Sequence, residues 1–166
     1  MIWHRHIRQA GLIYDAHIMT GVAGKGRGME NAEALAQFLN RTNPAHVVNF
    51  SMFLHKEVPL YQDIRQGTFV PADELETIRE EYHLIERIAP EKAGANILYD
   101  GFHDFIHVRV RGHLPGDKEK MLAKLNGIIQ EYEGKEPVYS FVQGECPDLE
   151  YCDDGKAVWD MDRKTS

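Results

Sequence analysis

Residues 46–54 read HVVNFSMFL, and this stretch narrows the possible folds more than any other. It is apolar almost throughout and too short for a buried helix, so it is expected to be a strand. A strand apolar on both sides belongs in a sheet covered on both faces, as in parallel α/β layering. Its flanks agree. Residues 30–41 place Leu35, Phe38 and Leu39 at helical spacing, with Glu30 near the positive end of the helix dipole, and Asn43-Pro44 stops the pattern. Residues 72–89 carry the strongest periodicity in the chain, at Leu75, Ile78, Tyr82, Ile85 and Ile88. That phase puts Ile78 and Ile85 inside and Glu80 on the outer face. Pro71 suits a helix first turn, and Asp73 and Glu74 favour its dipole.

The remaining segments fit the same alternation. A short helix is expected over 2–10, ending at Gly11, followed by a strand over 12–22. Residues 55–70 read as an extended loop with turns. Strands are expected over 95–102 and 104–112, a helix over 117–132 with Met121, Leu125, Ile128 and Tyr132 on one stripe, and a last strand over 136–142. Strand, helix, strand, helix, strand, strand, helix, strand implies α/β layers around a largely parallel sheet. The natural division is one domain over 1–144 and an acidic C-terminal extension over 145–166, where Val158 and Trp159 are the strong apolar anchors.

Composition excludes several classes. The formal net charge of −7 disfavours general nucleic-acid binding, which needs a basic face. No apolar run approaches the roughly 20 residues of a membrane span, so no membrane partner is expected and the expected compartment is cytoplasmic. Cys146 and Cys152, with five residues between them, match no common zinc or redox spacing.

The chemistry-bearing stretch is GVAGKGRG, residues 21–28, between a strand and a helix. Backbone N–H groups there, with the helix N-terminus, can face an anion, and glycines permit close approach. Lys25 and Arg27 add positive charge. The spacing matches neither the P-loop nor the dinucleotide-binding fingerprint. The plainer alternative is a tight turn with two solvated cations. Among the nine histidines, His4 with His6 and His103 with His107 share candidate faces, but no carboxylate or cysteine stands beside them at an established ligand spacing. No catalytic set can be chosen. Arg109, Arg111 and His113 form either an anion-facing stripe or the solvated face of a half-buried strand.

Three segments together resemble a known family. They are HIRQAGLIYDAHIMTGVAGKGRGMENAEALAQFLNRTNPAHVVNFSMFL, PLYQDIRQGTFVPADELETIREEYHLIERI and GHLPGDKEKMLAKLNGIIQEY. They are similar to the C-terminal half of radical SAM Fe–S oxidoreductases related to the oxygen-independent coproporphyrinogen oxidase group. The likeness runs from about residue 5 to 132. It implies a partial (β/α) barrel, a half-barrel of mostly parallel strands. In the family a Cys-x-x-x-Cys-x-x-Cys loop holds a 4Fe–4S cluster that reduces S-adenosylmethionine (SAM) to a radical, and this chain has no such motif. The family's Gly-x-Ile-x-Gly-x-x-Glu beside the SAM adenine corresponds here to HIMTGVAG, in which Gly21 matches. His17, Met19 and Gly24 replace the first glycine, the isoleucine and the glutamate. The next strand would pass the adenine with Asn49 or Ser51.

The resemblance therefore implies a fragment or split partner of a radical SAM oxidoreductase, not catalytically competent alone. SAM and the cluster enter by resemblance only, and no cofactor is expected on this chain by itself. The implied cofactor-side residues are Gly21, Gly24, Lys25, Gly26, Asn49 and Ser51. The expected partner is a second copy or a chain supplying the missing strands. Two rivals stand beside this reading: a non-enzymatic module binding an anionic small molecule or nucleotide at Gly21–Gly28, and a dimerising scaffold.

Overall fold

A computed structural model describes residue 6, residues 10–103 and residues 105–140. The expected helix over 2–10 falls almost wholly outside these residues, and the 145–166 extension does so entirely. The elements in order are β1 (Asp15–Thr20), α1 (Gly28–Thr42), β2 (His46–Ser51), α2 (Pro59–Arg65), α3 (Glu74–Arg87), β3 (Ile97–His103), β4 (Val108–Leu114) and α4 (Lys118–Tyr132).

The strands form one mixed sheet in the order β1-β2-β3-β4. β1 with β2 and β2 with β3 are parallel, while β4 returns antiparallel to β3. The sheet is open: it does not close into a barrel. Residues 136–140, placed in a strand by the sequence pattern, form none. They make single backbone bonds instead, Glu74 N–H to the Val138 carbonyl and Leu54 N–H to that of Ser140.

Local signals explain the helix ends. Asn43, with φ 47°, ends α1 and donates its N–H to the Leu39 carbonyl. At the start of α3, the Asp73 side chain accepts from Glu76 N–H and the Glu76 side chain accepts from Asp73 N–H, a reciprocal cap. The loop expected at 55–70 contains α2, which begins at Pro59 and buries Tyr61 and Ile64 against Leu54. About two turns of helix are too short to announce themselves by periodicity.

Helices α1, α3 and α4 cover one face of the sheet. α1 contributes Ala32, Ala36 and Leu39. α3 contributes Ile78, Leu84 and Ile85, and α4 contributes Met121, Leu122 and Leu125, all packed on Ala16, Val47, Tyr99 and Val110. Each of the leucine, isoleucine and methionine side chains among them contributes about 1.5–3 kcal/mol by leaving water. The other face has no helix on it among the described residues. Phe50 at its centre is 37% exposed. The expectation that β2 is covered on both faces is therefore corrected for the described residues: its apolar character is real, but among them nothing covers one side.

Candidate functional site

Three neighbourhoods converge on the C-terminal ends of the parallel strands, where open α/β sheets usually bind ligands. The first is the glycine loop. Gly21, Gly24 and Gly26 all have positive φ, a conformation that favours glycine. The loop is also tightly seated. A Cβ on Gly21 would lie 2.8 Å from the Thr77 methyl, and one on Gly24 would lie 2.8 Å from the Val70 carbonyl oxygen. Its amides are already committed within the protein. Gly21 N–H donates to Glu80 Oε2 at 2.9 Å, Gly26 N–H to Glu76 Oε1 at 3.2 Å and Lys25 N–H to the Val70 carbonyl at 2.8 Å. Arg27 pairs with Glu30 in the first turn of α1. The anion facing this loop is supplied by α3 itself.

The second neighbourhood is a buried polar knot between the sheet and α3. His103, at the end of β3, points Nε2 at Glu81 Oε2 (2.9 Å) and Nδ1 at Glu74 Oε2 (3.3 Å). All three side chains are at most 1% exposed. With a carboxylate at each ring nitrogen, both nitrogens must donate, so the ring is an imidazolium. Burial alone would depress its pKa, but the hydrogen bonds and charges of Glu74 and Glu81 outweigh burial and hold it at about 9. Glu81 also accepts from Tyr99 Oη and Asn49 Nδ2, and Glu74 accepts from Ser51 Oγ. Burial pushes the Tyr99 hydroxyl well above the ordinary tyrosine value, and Glu81 adds to this. Glycine 101 makes the knot possible. A Cβ there would meet Glu81 Oε1 at 1.8 Å, so the carboxylate occupies the space of the missing side chain. Beside it, burial raises the pKa of Glu80, against the opposing bonds from Asn31 Nδ2 and Gly21 N–H.

The third neighbourhood is the bare face. Strand register lines up Met19, Phe50, Phe102 and Arg109 in one row across all four strands. The next row holds His17, Val48, Asp100 and Arg111, and the third Asp15, His46, Leu98 and His113. The Phe50 and Phe102 rings stack with centroids 5.8 Å apart, and His17 lies tilted against Phe50 at 6.4 Å. The Arg109 guanidinium sits 4.7 Å from the Phe102 centroid and grips Asp100 with two hydrogen bonds of 2.8 and 2.7 Å. Those bonds hold the Asp100 carboxyl below its usual value, against the opposing effect of burial.

Comparison with protein-family models, curated proteins and solved structures gives no match. The site must be read from its own geometry.

Of the residues singled out in the sequence, Gly21, Gly24, Lys25 and Gly26 share one loop. Asn49 and Ser51 instead turn inward to Glu81 and Glu74, beneath α3. Arg109, Arg111 and His113 share the bare face, as a solvated β4 stripe requires, while His103 is buried and His107 occupies the β3–β4 turn. Glu80, expected outside, is 2% exposed and bonded to the loop. Sequence reasoning missed Glu74, Glu81, Phe50, Phe102 and Asp100. A signal for the first pair existed: Glu74 and Glu81 are seven residues apart and in phase with Ile78, Ile85 and Ile88 on the inward stripe. Among the described residues no cluster of three or more His, Cys, Asp or Glu could hold a metal ion, and no helix is long and apolar enough to cross a membrane. A separate groove of about 470 Å³ opens at the opposite ends of the strands, lined by Leu12, Ile13, Asn43 and Lys92 among others.

Proposed function

We propose that this chain is one lobe of a larger α/β assembly, equivalent to the later strands of a half-barrel of the radical SAM type, and that it supplies wall rather than cluster chemistry. One observation carries the reading. Among the described residues the sheet, three of whose four strands run parallel, is helix-covered on one side only, and its bare side carries the apolar row Met19, Phe50 and Phe102. A sheet wall with helices outside and apolar residues inside is what half of a β/α barrel presents. β1 lies at an edge of the sheet, and Leu12 and Ile13 lead into it 62% and 82% exposed. Unpaired edges recruit further strands, and a second copy or a strand-bearing companion would meet that need.

The family's cluster does not fit this chain. Three thiolates are required and the sequence has two cysteines, both beyond residue 140. The radical step is therefore assigned to the companion. The rival reading, an anion held at residues 21–28, has less support, because Glu80, Glu76 and the Val70 carbonyl take the loop amides.

Sedimentation velocity tests the lobe reading. At micromolar concentration the chain should run as a dimer, and Leu12→Lys with Ile13→Lys should return it to monomer without loss of helicity. A chain that stays monomeric, and remains so when co-expressed with a chain bearing the cysteine motif and the earlier strands, would overturn it.

A further inference from the structure

We infer that the bare sheet face binds a small flat-ring ligand carrying an anionic group, with the ring against Phe50 and Phe102 and the anion at Arg111. This deepens the lobe reading by naming what an inner wall would hold, and it rests on that reading in taking this face as an inner one.

Charge supports it first. Asp100 is the one carboxylate set between two guanidiniums. Arg109 takes both of its oxygens through hydrogen bonds, so that pair is internally matched. Arg111 reaches the same carboxylate only at 3.6 Å through Nε, and its side chain is 54% exposed. Among the described residues it has no other charged partner. The trio therefore carries one surplus positive charge, offered by a planar fork that suits phosphate or carboxylate.

Position is the second support. Arg111 lies two residues along β4 from Arg109 and one row from the aromatic line. Two residues of strand span about 7 Å, so a ring on the Phe row and an anionic group at Arg111 belong to one small molecule. In the same neighbourhood His46 presents a buried Nε2 with no hydrogen-bond partner among the described residues.

Size is the third. Four strands each about 4.8 Å wide and three rows each about 7 Å deep give a face of roughly 400 Å². A stable protein interface needs about 800 Å² per partner. The face alone is too small for a globular protein and large enough for a molecule of one or two rings.

The probe is 1-naphthyl phosphate, titrated calorimetrically into the full chain, with 1-naphthol and inorganic phosphate as its two halves. The expected result is one site per chain, with each half binding at least about ten-fold more weakly. Arg111→Ala and Phe50→Ala should each weaken the probe about ten-fold or more, whereas Lys25→Ala with Arg27→Ala should leave it unchanged. Circular dichroism checks folding, and Phe50→Leu and Arg111→Gln are read instead if an alanine variant unfolds. No binding, phosphate alone binding as well as the probe, or sensitivity to the loop variants rather than the face variants would each overturn the site. A chain that binds the probe yet stays monomeric, alone and when co-expressed with the cysteine-bearing companion, keeps the site and sinks the lobe reading. A dimer that ignores the probe, both as a dimer and after Leu12→Lys with Ile13→Lys makes it monomeric, sinks the site and keeps the lobe.

Discussion

At the level of residues 49–51 and 99–103 the covered face of the sheet holds Asn49, Ser51, Tyr99 and His103, whereas the bare face at the same level holds Met19, Phe50 and Phe102, with the Asp100–Arg109 ion pair at their side. Ordinary burial would place them the other way round. The covered side is tolerable because its charges and donors are matched: an imidazolium between two carboxylates, with a phenol, an amide N–H and a hydroxyl around them, while the Asn49 Oδ1 acceptor alone among these groups has no partner among the described residues. The bare side has no such internal reason. Its rings stack on one another but leave Phe50 more than one-third exposed. The difference teaches that the polar layer is matched within the fold, whereas the apolar row has no such match among the described residues and is the surface left for the proposed ligand.

The hardest way to break the comparison is to remove the cation from the covered side. His103→Ala leaves Glu74 and Glu81 facing each other in a sealed space. Breaking a buried pair by deleting one partner costs about 3–5 kcal/mol, and chemical denaturation should register a loss of that size. A loss below about 1 kcal/mol would mean that the carboxylates are neutral and that His103 is an ordinary packed ring.

The same group gives a pH signature. Its folded pKa, about 9, lies above the usual 6.5. The stability it contributes is thus complete below about pH 6.5 and is lost as pH rises through 9. The shift of about 2.5 units corresponds to roughly 3 kcal/mol. Melting temperature should fall between pH 7 and 9.5 in the native chain and stay flatter in His103→Gln. A parallel fall in both would assign the loss to other groups.

Glu80→Ala tests the seam between knot and loop. It strands Gly21 N–H and the Asn31 amide, and unsatisfied buried donors cost about 1–3 kcal/mol. Hydrogen exchange at the Gly21 amide should accelerate in step. A cost below about 0.5 kcal/mol, as an outward Glu80 would give, would show that the loop holds itself.

How much of this was legible follows from what each signal reports. The elements were readable because period and punctuation are local: Asn43-Pro44, the Asp73 cap and the Ile78, Ile85, Ile88 stripe act within a few residues. The Ile78, Ile85, Ile88 stripe puts Glu80 outside because it marks only the apolar side of the helix, whereas a carboxylate matched by Gly21 and Asn31, far away in sequence, can be buried beside that stripe. The glycine loop was recognised, but not its occupant, because nothing local says that α3 brings Glu80 and Glu76 to those amides. Asn49 and Ser51 were placed on the right strand and assigned to a ligand, yet a period of two sends them to the face opposite Phe50. The aromatic row needed the register of four strands, which no single segment contains.

The smallest expected effect sharpens the bare side. Phe50→Ala removes a partly exposed ring and one stacked pair, and such a pair is worth about 0.5–1.5 kcal/mol. Because water already reaches the ring, a destabilisation of no more than about 1 kcal/mol is expected for the isolated chain, far less than for His103→Ala. A loss above about 3 kcal/mol belongs to a fully buried aromatic, and would mean that Phe50 is covered in solution. Dilution then identifies the cover. If the excess loss disappears at low protein concentration, a second copy sits on the face; if it persists, the chain's own residues do, and the face is not open to a ligand. A small loss in stability together with a large loss of probe binding is the outcome that separates a surface kept for a ligand from one kept for the fold.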